Sequence, residues 1–456
     1  MSHAAPVPVL GGEPLLRFLV AVTALLLVAF CLGRLAERVR LPAVVGELST
    51  GVILGPSLLG EFAPDVAGWL LPAQPEQMHL VDAVGQIGIL LLVALTGTHL
   101  DAGMLRRRRA TVVTASLGGL IMPLGLGIAL GLGLPATLRG PEAGGAGLFA
   151  FLLGVAMCVS AIPVIAKTLS DMRLLHRDIG QLALAAATID DAVGWLLLSI
   201  VSVIAVSGFT TSTAVSAVAS LAVFLAVAVA AGRPLVRRLM RAAGRSPSSG
   251  PTVAVAVLLV LLGAITTHAL GMEPIFGAFV VGILIGLPGA ADMAKLAGLR
   301  MVVLSVLAPL FLATAGLRMD LTALADPGVA LAAVAVLTVA VVGKFGGVYL
   351  ASRATRLSHW ESLALGAGLN SRGVVELVVA LTGLRLGVLN TASYTIVALV
   401  AIATSVLAPP LLRAAAARIE VGDGEHRRRL QHESWDNAPA SGVAPAPNLP
   451  SLERTP

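Results

Sequence analysis

Charge is scarce in this chain. Asp, Glu, Lys and Arg make up 12% of its 456 residues and hydrophobic residues 57%, whereas an ordinary soluble domain is about a quarter charged. That balance excludes a soluble globular protein. Cysteine is scarcer still: the two cysteines, Cys31 and Cys158, both lie in apolar segments, so no disulfide framework is indicated. The sequence carries neither a repeated carbonyl-filter motif nor a ring of acids, the features a channel needs. No Gly-rich nucleotide-binding domain follows the apolar part, and no cofactor is expected. The first apolar segment lacks a basic n-region and a convincing small-residue cleavage site, so it reads as a retained helix and not as a signal peptide.

What the chain has is apolar length. Runs of roughly 20 apolar residues, enough to cross a bilayer, fall at 15–34, 42–60, 78–100, 110–134, 146–171, 179–207, 214–232, 251–270, 273–288, 301–317, 327–351, 359–384 and 392–414. The ninth is short. The division expected is an extracytoplasmic segment 1–14, a transmembrane domain 15–415 and a disordered cytoplasmic tail 416–456, where charge and then Pro, Ala and Ser take over. Basic residues crowd alternate loops: Arg34, Arg38 and Arg40; Arg106 to Arg109; Arg173 and Arg177; Arg233, Arg237, Arg238, Arg241 and Arg245; Lys295 and Arg300; Arg353 and Arg356. The intervening loops hold only Arg139, Arg318 and Arg385. Lys and Arg stay on the cytoplasmic side, so the expectation is a multi-pass cell-membrane protein with its N-terminus outside and its C-terminus inside. This asymmetry explains the net charge of +6 with no nucleic acid as partner; the partner is the lipid bilayer.

Two motifs recur. Gly46, Gly51 and Gly55 share the spacing of Gly277, Gly282 and Gly286, and Gly97-Thr-His-Leu-Asp101 corresponds to Gly316-Leu-Arg-Met-Asp320. The 49 glycines fit close helix packing in lipid. The second to sixth and ninth to thirteenth segments then form two units, inverted because the second segment runs inward and the ninth outward. Each unit has a candidate broken helix at the same place: Cys158-Val-Ser160-Ala-Ile-Pro163, where proline removes a donor, and Asn370-Ser371-Arg372-Gly373. The fold class expected is an all-α membrane protein of about 13 transmembrane helices, two inverted five-helix repeats with paired broken helices.

Asp190 and Asp191 sit in the middle of the sixth segment. A carboxylate at membrane depth is expensive, so a pair points to a cavity, a cation or a basic partner. At 1.5 Å per residue the aspartates lie roughly 17 Å into their helix, Arg372 roughly 20 Å into another, and Lys344 about 13 Å from the end marked by Arg353. All four reach similar depth. Neighbouring helix residues point about 100° apart, so one aspartate can face a basic partner while the other faces an ion path. Burial makes a lone carboxyl hold its proton more tightly, so that proton and cation can compete for it near neutral pH. Arg372 and Glu376, spaced i and i+4, read as an ion pair. Glu47 and Glu273 read as interfacial or packing residues, Asp101 and Asp320 as helix-terminal, and His99 and His268 have no ligand role. An intramembrane aspartyl protease is excluded, because its two acids must face each other across a water. The chain is therefore not read as an enzyme.

The runs Thr188-Ile-Asp-Asp-Ala-Val-Gly-Trp195, Val45-Gly-Glu-Leu-Ser-Thr-Gly-Val-Ile-Leu-Gly-Pro56, Pro309-Leu-Phe-Leu-Ala-Thr-Ala-Gly-Leu-Arg-Met-Asp-Leu321 and Asn370-Ser-Arg-Gly-Val-Val-Glu-Leu-Val378 together resemble the monovalent cation:proton antiporter-2 family of the sodium/proton exchanger superfamily, over about residues 15–415. The resemblance implies a secondary antiporter exchanging protons for Na⁺, K⁺ or Li⁺ by alternating access. It makes Asp191 the transient cation carrier and pairs Asp190 with Lys344. Aspartate at position 190 marks the electrogenic branch, where the electroneutral one has asparagine. Ser160, Thr188, Asn370, Ser371, Arg372 and Glu376 become supporting residues, Pro163 and Gly373 the helix breaks, and a homodimer the expected assembly. The chain departs from the family in having Ser160 alone where a hydroxyl pair is common, and Asn-Ser-Arg-Gly where Asn-Thr-Arg-Gly or Asn-Pro-Arg-Gly is usual. Both changes bear on which cation is carried. The regulatory soluble domain of the potassium-efflux relatives has no counterpart, so control by a nucleotide or thiol ligand is not expected. The alternative is a proton-coupled exporter of an organic solute on the same scaffold.

Overall fold

A computed structural model of the chain describes residues 11–71, 75–98, 109–141, 144–172, 174, 177–207 and 211–420. His99, Asp101, Arg106 to Arg108, Arg173, segment 1–10 and the tail from 421 lie outside the described residues. Fifteen helices carry the architecture: α1 (Gly12–Arg38), α2 (Ala43–Leu54), α3 (Pro75–Thr98), α4 (Arg109–Gly133), α5 (Ala146–Cys158), α6 (Ile162–Asp171), α7 (Asp178–Ser207), α8 (211–244, with a π-helical turn at Ala228–Gly232), α9 (Gly250–Ala269), α10 (Pro274–Gly286), α11 (Met293–Gly316), α12 (Pro327–Ala354), α13 (His359–Leu369), α14 (Val374–Arg385) and α15 (Thr391–Ala416).

Among the described residues each apolar segment falls on helix, interrupted at the two breaks, but the count of about thirteen spans is not met by length and composition. Among the described residues ten helices are long and apolar enough to cross a membrane, or eleven if α13 and α14, bent by 43° at their break, count as one. The shortfall is physical. α5 and α10 have 13 residues each, about 20 Å of helix, so neither reaches across ~30 Å of hydrocarbon alone.

The helices sort into two bundles by packing. A core bundle joins α4, α5, α6, α7, α12, α13, α14 and α15; a gate bundle joins α1, α2, α3, α9, α10 and α11; α8 packs on α7 of the first and on α9 and α10 of the second. The repeat is visible in the pairing: α2 packs on α11 and α10 on α3, while α4 and α12 pack on each other. Both glycine motifs exist for these crossings. A Cβ on Gly51 would lie 2.0 Å from the Ala313 carbonyl oxygen, and one on Gly316 2.2 Å from that of Leu48. At the equivalent crossing, a Cβ on Gly282 would lie 2.1 Å from the Ala94 oxygen and one on Gly97 2.6 Å from that of Phe279. In lipid, small residues let backbones come this close and gain dispersion contact.

Asp320 caps the short 3-10 turn Leu321–Ala325, its carboxylate accepting from the Thr322 N–H at 3.0 Å. Glu47 lies half-buried on α2 against Gly33 of α1, and His268 is exposed in the last turn of α9. Glu273 does more than line an interface. From the N-cap of α10 it accepts from Ser202 of α7 and Arg385 of α14, both at 3.2 Å, and so ties the bundles together at one end.

The crossings predict a position-specific cost. Gly282→Ala is expected to lose about 1–3 kcal/mol of stability by overpacking and to melt earlier in detergent. Gly125→Ala, with nothing within 4 Å of its added carbon, is expected to melt as the parent does. Equal melting of the two variants would remove close approach as the reason for the motif.

Candidate functional site

The two helix breaks cross at the middle of the core bundle. α5 ends at Cys158, Val159 turns extended, and α6 starts at Ile162. Pro163 thus stands in the first turn of α6, where its missing N–H costs nothing; it opens a second half-helix and does not kink a continuous one. Opposite, α13 ends at Leu369 and α14 starts at Val374. The extended segments between them touch: Ala161 N–H donates to the Ser371 carbonyl at 3.3 Å, and Ser160 Oγ, whose single proton is shared with Asp190, lies 2.9 Å from that of Leu369. A Cβ on Gly373 would lie 2.7 Å from Val164 Cγ2, so glycine there is what lets the segments pass.

Each break leaves helix-end carbonyls without intrahelical partners. At the end of α5 they meet cations. Arg372 donates from Nη1 to the Ala156 carbonyl at 2.7 Å and from Nη2 to those of Met157 and, at 3.1 Å, Ala340. Lys344 Nζ donates to the Cys158 carbonyl at 2.5 Å. These cations suit the negative end of a half-helix dipole. Arg372 also lies 3.4 Å from Glu376, both wholly buried, which matches the ion pair read from their spacing. Its main contacts, however, are the carbonyls. The Arg372 carbonyl in turn accepts from Ser405 Oγ of α15 at 2.5 Å.

The aspartates of α7 stand beside this crossing in unlike surroundings. Asp190 is fully satisfied: Oδ1 accepts from Ser116 at 2.6 Å, and Oδ2 from Ser160 at 2.8 Å and from Lys344 at 2.5 Å. Asp190 and Lys344 are both wholly buried, so their charges cancel within the core. Asp191 is 1% exposed and neither of its oxygens has a hydrogen-bond partner among the described residues. The buried side-chain atoms Oδ1 and Nδ2 of Asn370 and Oγ of Ser371, in the second break, are likewise without partners. Such bare oxygens are the donor set a hard monovalent cation prefers.

Thr188 is not drawn into this arrangement, because its hydroxyl donates to the Leu184 carbonyl of its own helix at 2.8 Å. Ser116 and Ser405 were not singled out from the sequence. A lone serine in an apolar helix carries no mark that separates back-bonding to the previous turn from reaching another helix.

Residues 23–417 match the model of the family described as sodium/hydrogen exchanger, transmembrane. The Na(+)/H(+) antiporter NhaS4 of Synechocystis is 30% identical over 404 residues, covering 87% of this chain and 97% of that protein. Cation/H(+) antiporter 18 of Arabidopsis thaliana is 31% identical over 408 residues and the K(+)/H(+) antiporter 1 of Saccharomyces cerevisiae 26% over 421, with this chain spanning 49% and 48% of their lengths. The fold is similar to that of the sodium proton antiporter MjNhaP1 from Methanocaldococcus jannaschii, with a TM-score of 0.62, 17% identity and coverage of 91% and 99% of the two chains.

The buried pair predicts coupled stabilities. Lys344→Ala is expected to cost about 3–5 kcal/mol, since it strands a buried carboxylate, and Asp190→Ala in that background to recover part of the loss. The check is a double-mutant cycle of melting midpoints in detergent. Strictly additive losses would mean that the pair contributes no coupling.

Proposed function

The chain belongs to the transmembrane sodium/hydrogen exchanger family, and on that premise we propose that it exchanges protons for a monovalent cation, Na⁺ or K⁺, with Asp191 as the carrier. One observation carries this reading: Asp191 is buried at the crossing of two broken helices with both oxygens bare, beside an Asp190–Lys344 pair that is already neutral. A carboxylate so placed has to take either a proton or a cation, because an uncompensated buried charge is too costly to persist. Competition between the two for one group is antiport. The bare side chains of Asn370 and Ser371 and the broken-helix ends supply further oxygens, while Arg372 and Glu376 hold the crossing in shape.

Alternating access follows from the two bundles. They are joined at one end by Glu273, Ser202 and Arg385 and at the other enclose a cavity between α1, α6 and α15, bridged by the partly exposed Lys167–Glu37 pair, so a rocking of one against the other would expose Asp191 to each side in turn. The basic loops support a cell-membrane protein with its C-terminus in the cytoplasm. A homodimer is the proposed assembly.

Exchange is proposed to be electrogenic. A cation that engages both aspartates breaks the Asp190–Lys344 contact, and Lys344 can then release its proton along with that of Asp191, so two protons leave per cation. If the pair stays locked, exchange is one for one.

Two tests follow. In acid-loaded everted vesicles, addition of Na⁺ or K⁺ is expected to drive proton efflux in the parent, and Asp191→Asn to abolish it with protein still in the membrane, since an amide cannot cycle between neutral and charged forms. Parental exchange by that variant would remove Asp191 as the carrier. In proteoliposomes clamped with valinomycin and potassium, with sodium as the test cation, an imposed 100 mV acts on the net charge with about 2.3 kcal/mol, about a fifty-fold shift in the end point. Rates and end points that ignore the potential would make the cycle electroneutral.

A further inference from the structure

We propose that the cleft between the bundles, at the end where α1 and α15 finish, is a binding site for a phosphate group that bridges the two bundles. The cavity measures about 770 Å³, within the range of small-molecule sites. Glu37 and Arg40 line it from the gate bundle, and Lys167, Thr168, Arg177 and Arg413 from the core bundle. Four basic side chains and one acid line its walls. Part of that charge is already engaged: Lys167 Nζ lies 3.2 Å from Glu37, and Arg177 donates to the Ile419 and Glu420 carbonyls at 2.9 and 3.1 Å. Arg40 and Arg413 bring exposed side chains to the cavity from opposite bundles.

The second observation is a hydroxyl. Thr168 lines the cavity, is 5% exposed, and its Oγ1 has no hydrogen-bond partner among the described residues. A buried hydroxyl left unpaired costs free energy, and here it stands next to Lys167. Guanidinium forks, an ammonium and a hydroxyl donor together are the chemistry that recognises phosphate oxygens. Basic pockets between transmembrane helices on the cytoplasmic side suit anionic lipid headgroups, and a free phosphate offers the same oxygens.

The site has a consequence for ion traffic. Thr168 is six residues along α6 from Ile162, about 9 Å by helical rise, so the cavity opens about one and two-thirds turns from the Asp191 level. The Arg40 and Arg413 guanidinium groups there repel a cation approaching by this route. A phosphate in the cleft removes the repulsion and links Arg40 to Lys167 and Arg413, favouring the arrangement in which this end stands open.

The test is binding, which does not depend on the exchange reading. Thermal unfolding of the full chain in neutral detergent is followed with inorganic phosphate, with phosphatidylglycerol and with phosphatidylcholine, against sodium chloride of matched ionic strength. Phosphate or phosphatidylglycerol is expected to raise the midpoint in a saturable way. A response to the lipid alone identifies the membrane as the source, a response to inorganic phosphate alone identifies solution, and either supports the site. The double variant Arg40→Gln/Arg413→Gln is expected to weaken binding at least tenfold. Thr168→Val, which leaves every charge in place, is expected to weaken it several-fold, and it decides the matter if the arginine variant does not fold. A midpoint that no phosphate-bearing probe moves beyond the chloride control, or parental affinity in Thr168→Val, overturns the proposal.

Discussion

The centre of this protein depends on one buried ammonium group. Lys344 Nζ holds the Asp190 carboxylate and the Cys158 carbonyl, each at 2.5 Å. Neither partner alone would make its burial tolerable: a lone ion pair in the interior barely repays desolvation, and a cut helix without a cap leaves carbonyls stranded. Together they solve both problems. Arg372 plays the same part for the Ala156 and Met157 carbonyls, so the gap in α5 is held open by cations from the other repeat, and those cations are buried only because the gap exists. Once this accounting is done, Asp191 is the acid at the crossing with nothing to neutralise it.

Buried charge is concentrated in one bundle, whereas close glycine crossings serve both, as at Gly118 and Gly347 in the core. The core bundle holds the wholly buried ionic residues, and its shape is fixed by hydrogen bonds whose loss is costly. The gate bundle has close backbone crossings at Gly51, Gly316, Gly282 and Gly97, where the cohesion is dispersion and no charge has to move. A stiff apolar panel against a polar core suits a body that slides or rocks, since the contact between them carries few bonds that must break. Those that exist are few: Glu273 with Ser202 and Arg385, the Tyr394 hydroxyl donating to the Ala315 carbonyl at 2.7 Å, and Lys167 with Glu37.

Much of this was legible in the sequence, for reasons that can be named. Apolar runs locate helices because lipid tolerates little else, and among the described residues each of them fell on helix, interrupted at the two breaks. Run length does not report where a helix is cut short, which is why α5 and α10 were counted as spans. The breaks themselves were legible because proline, asparagine and glycine are poor helix interiors, and the pairing of Lys344 with Asp190 followed from matched depth and the family motif. Hydroxyl roles were not legible. Thr188 and Ser116 both sit in apolar helices, yet one bonds its own previous turn and the other reaches Asp190. That difference is set by the direction each helix face takes in the fold, and spacing along one chain does not encode it.

The glycine crossings have a meaning for how the chain is made. Ser57 bonds the carbonyl of Met319, 262 residues later, and α2 and α3 find their packing partners in α11 and α10. A ribosome adding 5–20 residues per second needs roughly ten seconds to a minute to deliver that second set. During this interval the first repeat sits in the bilayer with its glycine faces open, without the surface it is shaped to meet. The halves are therefore not autonomous folding units, although they look alike. Assembly has to wait for the last helices, and a chain truncated between the repeats would leave a membrane-inserted fragment recognisable to quality-control proteases by those unfilled grooves.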